Sequence, residues 1–465
     1  SPAVVGHSVT LERIGVPTVP IITQRFQDLV TTIAFKKGIP GMRMVYSPHP
    51  VTDRPAALCR KYLEGKDPIT GRPFLEEIVE NLTRPLAEED RKGGFLKREP
   101  RPRLLAPDTA RNLEKLFYDS DFTDGMPVVL PTEARVAEML KATSRKPDEL
   151  VGSMRPSPPH EAWEYTVEMV AVNAVMAGAK PEYFPTILAL ASTGVTSLFS
   201  STSSFARMMV VNGPVANEIG MNSGIGALGP LNRANATIGR SWTLISKNLG
   251  GSGKVGETYL GTQGNPLSYN NLCFPEAEDG LPAGWNPLHV QKGFKKSESV
   301  VSVFSGWSMS DIAWYSEMPI HQVIRGWLEH FFSFNTNAAT LILDPIVADD
   351  VAQAGFGSKE AYADYLAKNT GTPAWLYWQN RENELKQARA GVEPYATYLK
   401  MGPGTVIPVS RYSRESPTPS AFMASKETAE SATTIEIVVT VGGTNTFWSG
   451  GDFSHVTSTS VDKWR

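Results

Sequence analysis

Over the first 83 residues, the apolar positions follow the pattern of a strand, a helix and a second strand. The β-branched run at 16–23 predicts a short buried strand, and residues 42–46 predict another. Between them, apolar residues fall on one helical face and Gly38 marks the helix end; these residues are Phe26, Leu29, Val30, Ile33 and Ala34. Strand, helix and strand in so few residues predict parallel pairing through a right-handed crossover. We therefore expect a small flavodoxin-like parallel-sheet domain at 1–83, with a preceding helix at 4–14.

The sequence pattern of residues 84–465 predicts a linker followed by a larger domain. Residues 84–125 contain a mixed-charge run without apolar periodicity and are expected to form a linker, with one short helix at 110–117. Residues 126–465 predict a larger, mixed α/β (α+β), loop-rich domain. Its expected elements are a helix capped by Ser157 that runs through Trp163 to Gly178, helices at 320–333 and 359–368, and a strand at 435–441.

The composition removes several classes of protein. Lys and Arg number 45 against 48 Asp and Glu, a net charge of −3, which excludes a basic nucleic-acid-binding protein. Apolar content is ordinary for a globular protein, which argues against intrinsic disorder. Two cysteines exclude a disulfide framework and a four-cysteine zinc site. Without a signal peptide or a membrane-spanning apolar run, we expect a cytoplasmic protein with no membrane partner.

The first candidate site lies where the two predicted N-terminal strands end. Thr23 and Ser47 close these strands, and His49 follows between two prolines. In open α/β sheets, ligands bind beyond the carboxyl ends of the strands. We expect Thr23 and Ser47 to contact substrate and His49 to act as a catalytic acid or base. The alternative is that His49 is a loop residue packed against a neighbour.

The second candidate is a glycine-rich region at 212–240, inside a segment (201–256) that has only six charged residues and ten glycines. Such a segment is expected to be mostly interior. Gly224, Gly226 and Gly229 have dinucleotide-motif spacing, but no apolar strand precedes them and Pro230 follows, which argues against a nucleotide site. A helix beginning after Pro230 could instead hold a carboxylate or phosphate. The substrate-binding residues would be Asn212, Arg233, Asn235 and Arg240. The alternative is that the glycines only permit close packing.

A third candidate combines carboxylates and an imidazole between 273 and 289. Glu276, Glu278 and His289 could form an acid–base site. Their spacing is not that of metal ligands, so no metal is predicted and no cofactor is identified. Cys273, between Leu272 and Phe274, is expected to be a buried thiol.

Several strings of this sequence are similar to those of one known family. In the N-terminal part they are Leu11-Glu12-x-x-Gly15-x-Pro17-Thr18-Val19, Phe26 and Pro48-His49-Pro50. Further along they are Asp124-Gly125-x-Pro127-Val128, Ala174-Val175-Met176-Ala177-Gly178, Asn212-Gly213-Pro214, the run 233–240 and Trp285-x-Pro287-Leu288. The chain thus resembles the bacterial (seleno)protein family named for its UGSC motif, in its long two-domain form.

The resemblance implies thiol- or selenol-assisted redox chemistry or reductive bond cleavage. The reactive selenocysteine or cysteine of the family would fall immediately before Ser1, and it is not in this sequence. Neither Cys59, which looks like a core residue of a helix, nor Cys273 aligns with it. We expect the motif to lie on a preceding segment or a separate chain, or to have been lost in this member.

These observations lead to one functional expectation with two alternatives. We expect an enzyme that acts on a small polar or anionic organic molecule between the two domains, with His49 and the 212–240 region facing the substrate. One alternative is a non-redox lyase or hydrolase using Glu276, Glu278 and His289. The other is a non-catalytic subunit of a larger complex. A homo-oligomer is expected from the general frequency of such assemblies.

Overall fold

The computed structural model describes residues 2–51, 54–92, 102–157, 160–261, 263–313, 317–334, 336–379, 381–413 and 433–465. Over these residues the protein is a mixed α/β structure with both parallel and antiparallel strand pairs. The expected α/β class is therefore confirmed. None of the helices in these ranges is long and apolar enough to cross a bilayer.

In its described residues, the N-terminal part contains two short parallel strands and four α-helices. These are α1 (Pro2–Arg13), β1 (Ile21–Thr23), α2 (Gln27–Lys36), β2 (Val45–Ser47), α3 (Ala56–Glu64) and α4 (Phe74–Thr83). The parallel pairing of β1 with β2 confirms the prediction. The first strand is shorter than predicted, and Pro17 and Pro20, which have no backbone N–H to give to a sheet, both precede it.

Helix α2 holds this part of the molecule together. It buries Leu29, Val30, Ile33 and Ala34, as predicted. These residues pack with α1 and with both strands in one hydrophobic cluster, to which Leu260 is the contribution from the second half of the chain. Gly38 ends the helix with a φ of +85°, a left-handed conformation that favours glycine.

The remaining elements begin with α5 and belong to the linker and the larger part. The helices are α5 (Ala110–Asp119), α6 (Glu133–Leu140), α7 (Val167–Met176), α8 (Phe184–Ser192), α9 (Pro214–Glu218), α10 (Arg233–Asn248), α11 (Leu288–Gln291), α12 (Ile320–His330), α13 (Pro345–Gln353), α14 (Lys359–Asn369), α15 (Ala374–Tyr377), α16 (Glu382–Arg389) and α17 (Tyr395–Leu399). The strands are β3 (Leu150–Met154), β4 (Trp163–Thr166), β5 (Ala206–Asn212), β6 (Leu272–Pro275), β7 (Val300–Gly306), β8 (Met309–Ala313), β9 (Ala339–Leu343), β10 (Thr372–Pro373), β11 (Val406–Ile407), β12 (Ile435–Val439), β13 (Phe447–Gly451) and β14 (Ser454–Ser460).

Two four-stranded sheets form the centre of the larger part. The first sheet has the order β14-β7-β5-β6 and the second has the order β12-β9-β13-β8. Their inner faces meet through a cluster that includes Met208, Phe304, Ile342 and Val438. The outer face of the first sheet packs against α7, α8 and α10, and that of the second against α12, α13 and α14. The arrangement is therefore helix, sheet, sheet, helix.

One predicted element has the wrong type. Residues 163–166 form strand β4, paired antiparallel with β3, rather than the expected continuation of a helix from Ser157. The helix begins only at Val167, because the Thr166 side chain caps it by accepting a hydrogen bond from the Met169 amide. Pro158 and Pro159, on which the predicted helix start also depended, lie outside the described residues.

The low-charge segment 201–256 is interior only in part. All seven residues of β5 are buried, as expected. In contrast, the side chains of Ile225, Leu231 and Val255 are 74%, 100% and 83% exposed. Few charges in this segment therefore reflect a buried strand and a packed helix that are joined by surface loops.

Candidate functional site

The carboxyl ends of β1 and β2 bring Thr23, Ser47 and His49 together. Thr23 and Ser47 are direct register partners in the parallel pair. His49 follows β2 and places its Nδ1 atom 3.1 Å from the Thr23 Oγ1 atom. The imidazole is exposed, and its ring meets Phe26 edge-on at 5.8 Å between centroids. The predicted cluster at this edge of the sheet therefore exists as a compact group.

The Thr23–His49 hydrogen bond leaves the other imidazole nitrogen free for chemistry. Whichever group donates, the bond holds Nδ1 and fixes the ring orientation, so Nε2 is the nitrogen that can exchange a proton with a ligand. Ser47 lies beside this pair, is buried, and has no hydrogen-bond partner for its Oγ among the described residues. A buried hydroxyl without a partner requires an explanation, and a ligand bound at this edge would supply one.

A buried carboxylate that the sequence reasoning missed supports this edge. Asp67 is fully buried and accepts hydrogen bonds from the backbone amides of Tyr46, Ile69 and Thr70. The bond to Tyr46 ties the 67–70 turn to β2, directly before Ser47. The Asp67-Pro68 sequence is a usual turn signal, but it does not tell which strand the turn will contact.

Cys59 lies on the helix that follows the His49 loop. The expectation that it belongs to a helix is confirmed, but the expectation of a core position is wrong, since α3 has no buried residue and Cys59 is half-buried. Its Sγ is 4.0 Å from the Val51 carbonyl oxygen. Cys273 is buried as predicted, and burial raises the pKa of its thiol, which makes it unreactive.

The third candidate group, around Glu276, also contains Asn212 and Lys359 in the structure. Its Oε2 atom accepts hydrogen bonds from the Asn212 side chain at 2.8 Å and the Leu288 amide at 2.6 Å. Its Oε1 atom accepts from Lys359 Nζ at 2.5 Å and from the Val439 amide at 3.3 Å. The Glu276 and Lys359 side chains are 0% and 1% exposed. With both oxygens occupied and no access to solvent, this carboxylate ties together elements of both central sheets.

His289 and Glu278 complete this cluster without forming an open acid–base pair. His289 is 0% exposed, and its Nδ1 atom is 3.7 Å from Glu278 Oε1, beyond hydrogen-bond range. Glu278 accepts instead from the Asn212 side chain at 3.0 Å and the Gly213 amide at 2.6 Å. The predicted residues are therefore neighbours, but the imidazole cannot meet a substrate in this conformation.

The side chains predicted to bind an anion near the glycine-rich loop hold protein groups. The predicted helix after Pro230 is present as α10. Arg233 donates to the Gly178 carbonyl at 3.1 Å, and Arg240 forms a two-pronged ion pair with Asp124 at 2.8 Å. Asn235 bonds to the backbone of Asn222 and to the Ala227 carbonyl. These contacts fold the loop and attach the linker to α10.

Two observations place the larger part of the chain beside the N-terminal part. Leu260 packs on the N-terminal cluster, and His160 is close enough to Lys36 and Lys37 for their charges to act on it. Helix α2 returns across the sheet against the strand direction, so its last residues lie at the opposite edge from Thr23 and His49. Burial and the two lysines lower the pKa of His160 to about 4.

No metal centre is visible in the part of the chain that the structure describes: no group of three or more His, Cys, Asp or Glu side chains is arranged to hold an ion.

Comparison with known proteins gives one result. No curated protein and no solved structure matches this chain. Residues 1–64 match the model of the UGSC family. The matched segment contains β1, β2 and the whole Thr23, Ser47 and His49 group. The match confirms, for the segment that carries this group, the resemblance of the chain to the UGSC family.

Proposed function

We propose that this protein is an enzyme that acts on a small polar or anionic organic molecule at the His49 edge of the N-terminal sheet. The observation that carries the proposal is the 3.1 Å contact between His49 Nδ1 and Thr23 Oγ1 at the carboxyl ends of two parallel strands. A flavodoxin-like arrangement of this domain is part of the proposal, since that fold places its ligand at such an edge.

Each residue of the edge has a distinct role in this proposal. His49 transfers a proton to or from the substrate through Nε2. Thr23 holds the imidazole in position and stabilises one tautomer. Ser47 contributes a hydroxyl that would bond a polar group of the substrate, which is consistent with its unpartnered Oγ. Thr23 and Ser47 are positioning and binding residues, and His49 is the catalytic residue.

Thiol- or selenol-assisted redox chemistry is the finer form of the proposal. It rests on the family resemblance, because no thiol is described in contact with His49. Of the two cysteines, Cys273 is buried and Cys59 is half-buried on α3. An external thiol is therefore included as a possible electron donor in the assay below.

The geometry supports the acid–base alternative at Glu276, Glu278 and His289 less well. Glu276 has a donor on each oxygen and a buried cation at 2.5 Å, and His289 is 0% exposed. A catalytic acid or base must reach the proton that it moves. These residues meet that requirement only after a rearrangement of the sheets that they connect.

The test compares His49→Gln with His330→Gln. His330 is a matched control, because it is also exposed and its Nδ1 is also hydrogen-bonded, in this case to the Gly326 carbonyl. The full chain is incubated with two- to four-carbon hydroxy-, keto- and amino-carboxylates, with and without dithiothreitol, and substrate loss is followed by proton NMR. We expect wild type and His330→Gln to consume at least one compound at equal rates. We expect the rate of His49→Gln to be reduced by at least about 100-fold, because acid–base catalysis usually contributes that much or more to an enzymatic rate.

Two results would contradict the proposal. Equal rates in wild type and His49→Gln would remove His49 from the reaction. If wild type consumed no compound, while a partner protein co-purified with the chain and its binding survived His49→Gln, the non-catalytic subunit would be the better description. Light scattering of the same samples tests the expected homo-oligomer.

A further inference from the structure

Arg207 is a charged side chain in an unusual setting. It lies on β5, is 1% exposed, and donates from Nε to the Thr196 carbonyl at 2.8 Å. Its Nη1 atom has no hydrogen-bond partner among the described residues, and Arg207 forms no ion pair within 4.0 Å with any carboxylate in the described ranges. Burial lowers the pKa of Arg207 to about 10, so the group keeps its positive charge at neutral pH.

Two other buried arginines differ from Arg207 in the partners that they do have, although Nε and Nη1 of each also lack a hydrogen-bond partner among the described residues. Arg43 forms an ion pair with Glu12 at 3.3 Å. Arg411 donates to the Leu328 carbonyl at 2.8 Å and to the Tyr412 hydroxyl at 2.9 Å, and it also reaches the Phe331 carbonyl. Arg207 has neither a carboxylate nor a set of carbonyls. One carbonyl and two aromatic rings compensate this buried charge only in part, and an anion would complete the set of partners.

Serine hydroxyls without partners occur on the strand beside Arg207 and in the loop that contacts it. Ser305 is the register partner of Arg207 on β7, so the two side chains lie next to each other on the same face of the sheet. Ser197 and Ser200 belong to the loop whose Thr196 carbonyl meets Arg207. The Oγ atoms of all three serines are buried and lack a hydrogen-bond partner within the described ranges. Ser305 thus offers a hydroxyl on the strand next to the cation, and the loop that contacts Arg207 carries two more.

A row of aromatic rings leads from the surface to this group. Phe334 is 64% exposed and contacts Trp307 in a tilted arrangement, with 4.6 Å between ring centroids. Trp307 contacts Phe205 at 4.3 Å, and Phe205 contacts Phe199 at 4.9 Å. The Arg207 guanidinium lies 5.8 Å from the rings of both Phe199 and Phe205. We call these four rings the aromatic row. The Trp307 Nε1 atom in this row is another buried donor with no partner.

We propose that Arg207 binds the carboxylate of an organic ligand whose flat apolar part lies against the aromatic row. Guanidinium groups bind carboxylates through two parallel hydrogen bonds, and aromatic walls favour flat apolar bodies. Since Arg207 is covered, entry requires movement of the loop at 194–205, which contains no helix or strand. The site is in the larger part of the chain and is independent of the His49 proposal.

Benzoate is the probe, and benzyl alcohol is its uncharged counterpart. Binding to the full chain is measured by calorimetry and by saturation-transfer NMR. We expect benzoate to bind wild type at least about ten-fold more tightly than benzyl alcohol, and Arg207→Met to abolish this difference. Folding of Arg207→Met is checked by circular dichroism.

A pair of surface variants keeps the test valid if Arg207→Met does not fold. Phe334→Ala removes the outer ring of the aromatic row and is expected to weaken benzoate binding several-fold. Phe332→Ala is the matched control, because Phe332 is 53% exposed but contacts Trp375 instead of Trp307. Benzoate binding no tighter than that of benzyl alcohol in wild type would overturn the proposal. So would unchanged benzoate affinity in a folded Arg207→Met or in Phe334→Ala.

Discussion

At the residue scale, the buried pair of Glu276 and Lys359 connects distant parts of the chain. Glu276 follows β6 of the first sheet, and it also accepts from the amide of Val439 in β12 of the second sheet. Lys359 is the first residue of α14. One fully buried carboxylate thus links two sheets and a helix. Its contribution to the stability of the protein depends on the positive charge of Lys359.

Removing the cation alone should be worse than removing both charges. We expect Lys359→Met to lower the free energy of unfolding by about 3–5 kcal/mol, because Glu276 would remain as an uncompensated buried charge. Adding Glu276→Gln to Lys359→Met should recover part of that loss. Urea unfolding followed by tryptophan fluorescence measures both.

The control is Lys115→Met, which removes the cation of the exposed pair with Asp119 and should cost no more than about 1 kcal/mol. A double variant less stable than Lys359→Met would show that the pair acts through something other than its buried charge.

At the element scale, two glycines inside helices should respond in opposite ways to alanine. A Cβ atom at Gly239 in α10 would lie 1.8 Å from the Asn270 carbonyl oxygen, whereas one at Gly326 in α12 would have nothing within 4 Å. We expect Gly239→Ala to lower the free energy of unfolding by at least about 1–3 kcal/mol, because α10 must move away from the Asn270 carbonyl and from β6. Gly326→Ala should stabilise it by about 0.5–1 kcal/mol.

Thermal unfolding of the two variants beside wild type checks this prediction. A stabilised Gly239→Ala would mean that the close approach of α10 to residue 270 does not constrain the helix.

Elements with local signals are the ones that the sequence predicts well. The Ser358 cap and the apolar spacing of α2 act within one or two helical turns, and both helices are present. The segment 163–166 failed because its partner, β3, is chosen by pairing and burial that helical periodicity does not contain. The same holds for the sites. The Thr23, Ser47 and His49 group follows from strand ends, but nothing local shows that Arg207 lacks a carboxylate.

At the scale of the whole molecule, His160 links stability to pH. Its pKa is lowered to about 4, against about 6.5 for an unfolded histidine, so the unfolded chain binds the proton more readily between these values. Stability contributed by neutral His160 is therefore complete above about pH 6.5 and is lost as the pH falls toward 4. The difference between the two pKa values sets an upper limit of about 3 kcal/mol on the contribution of His160 to the free energy of unfolding.

We expect His160→Asn to remove this part of the pH dependence. The measurement is the difference in unfolding free energy between wild type and variant at pH 7 and at pH 4.5, which cancels the titration of groups common to both. His330→Gln, at an exposed histidine, serves as control. A difference that does not change with pH would show that His160 titrates alike in the folded and unfolded chains.

The strand order of the second sheet has a consequence for how the chain is made. Strand β9 lies between β12 and β13, although nearly a hundred residues separate it from them. During synthesis, β9 leaves the ribosome long before β12 and β13 have been translated. During that interval a strand with four apolar residues of five has both edges unpaired, a condition that favours aggregation. Rapid growth or heat during synthesis should therefore reduce the yield of this protein more than its final stability would suggest, and slower translation or added chaperones should restore it.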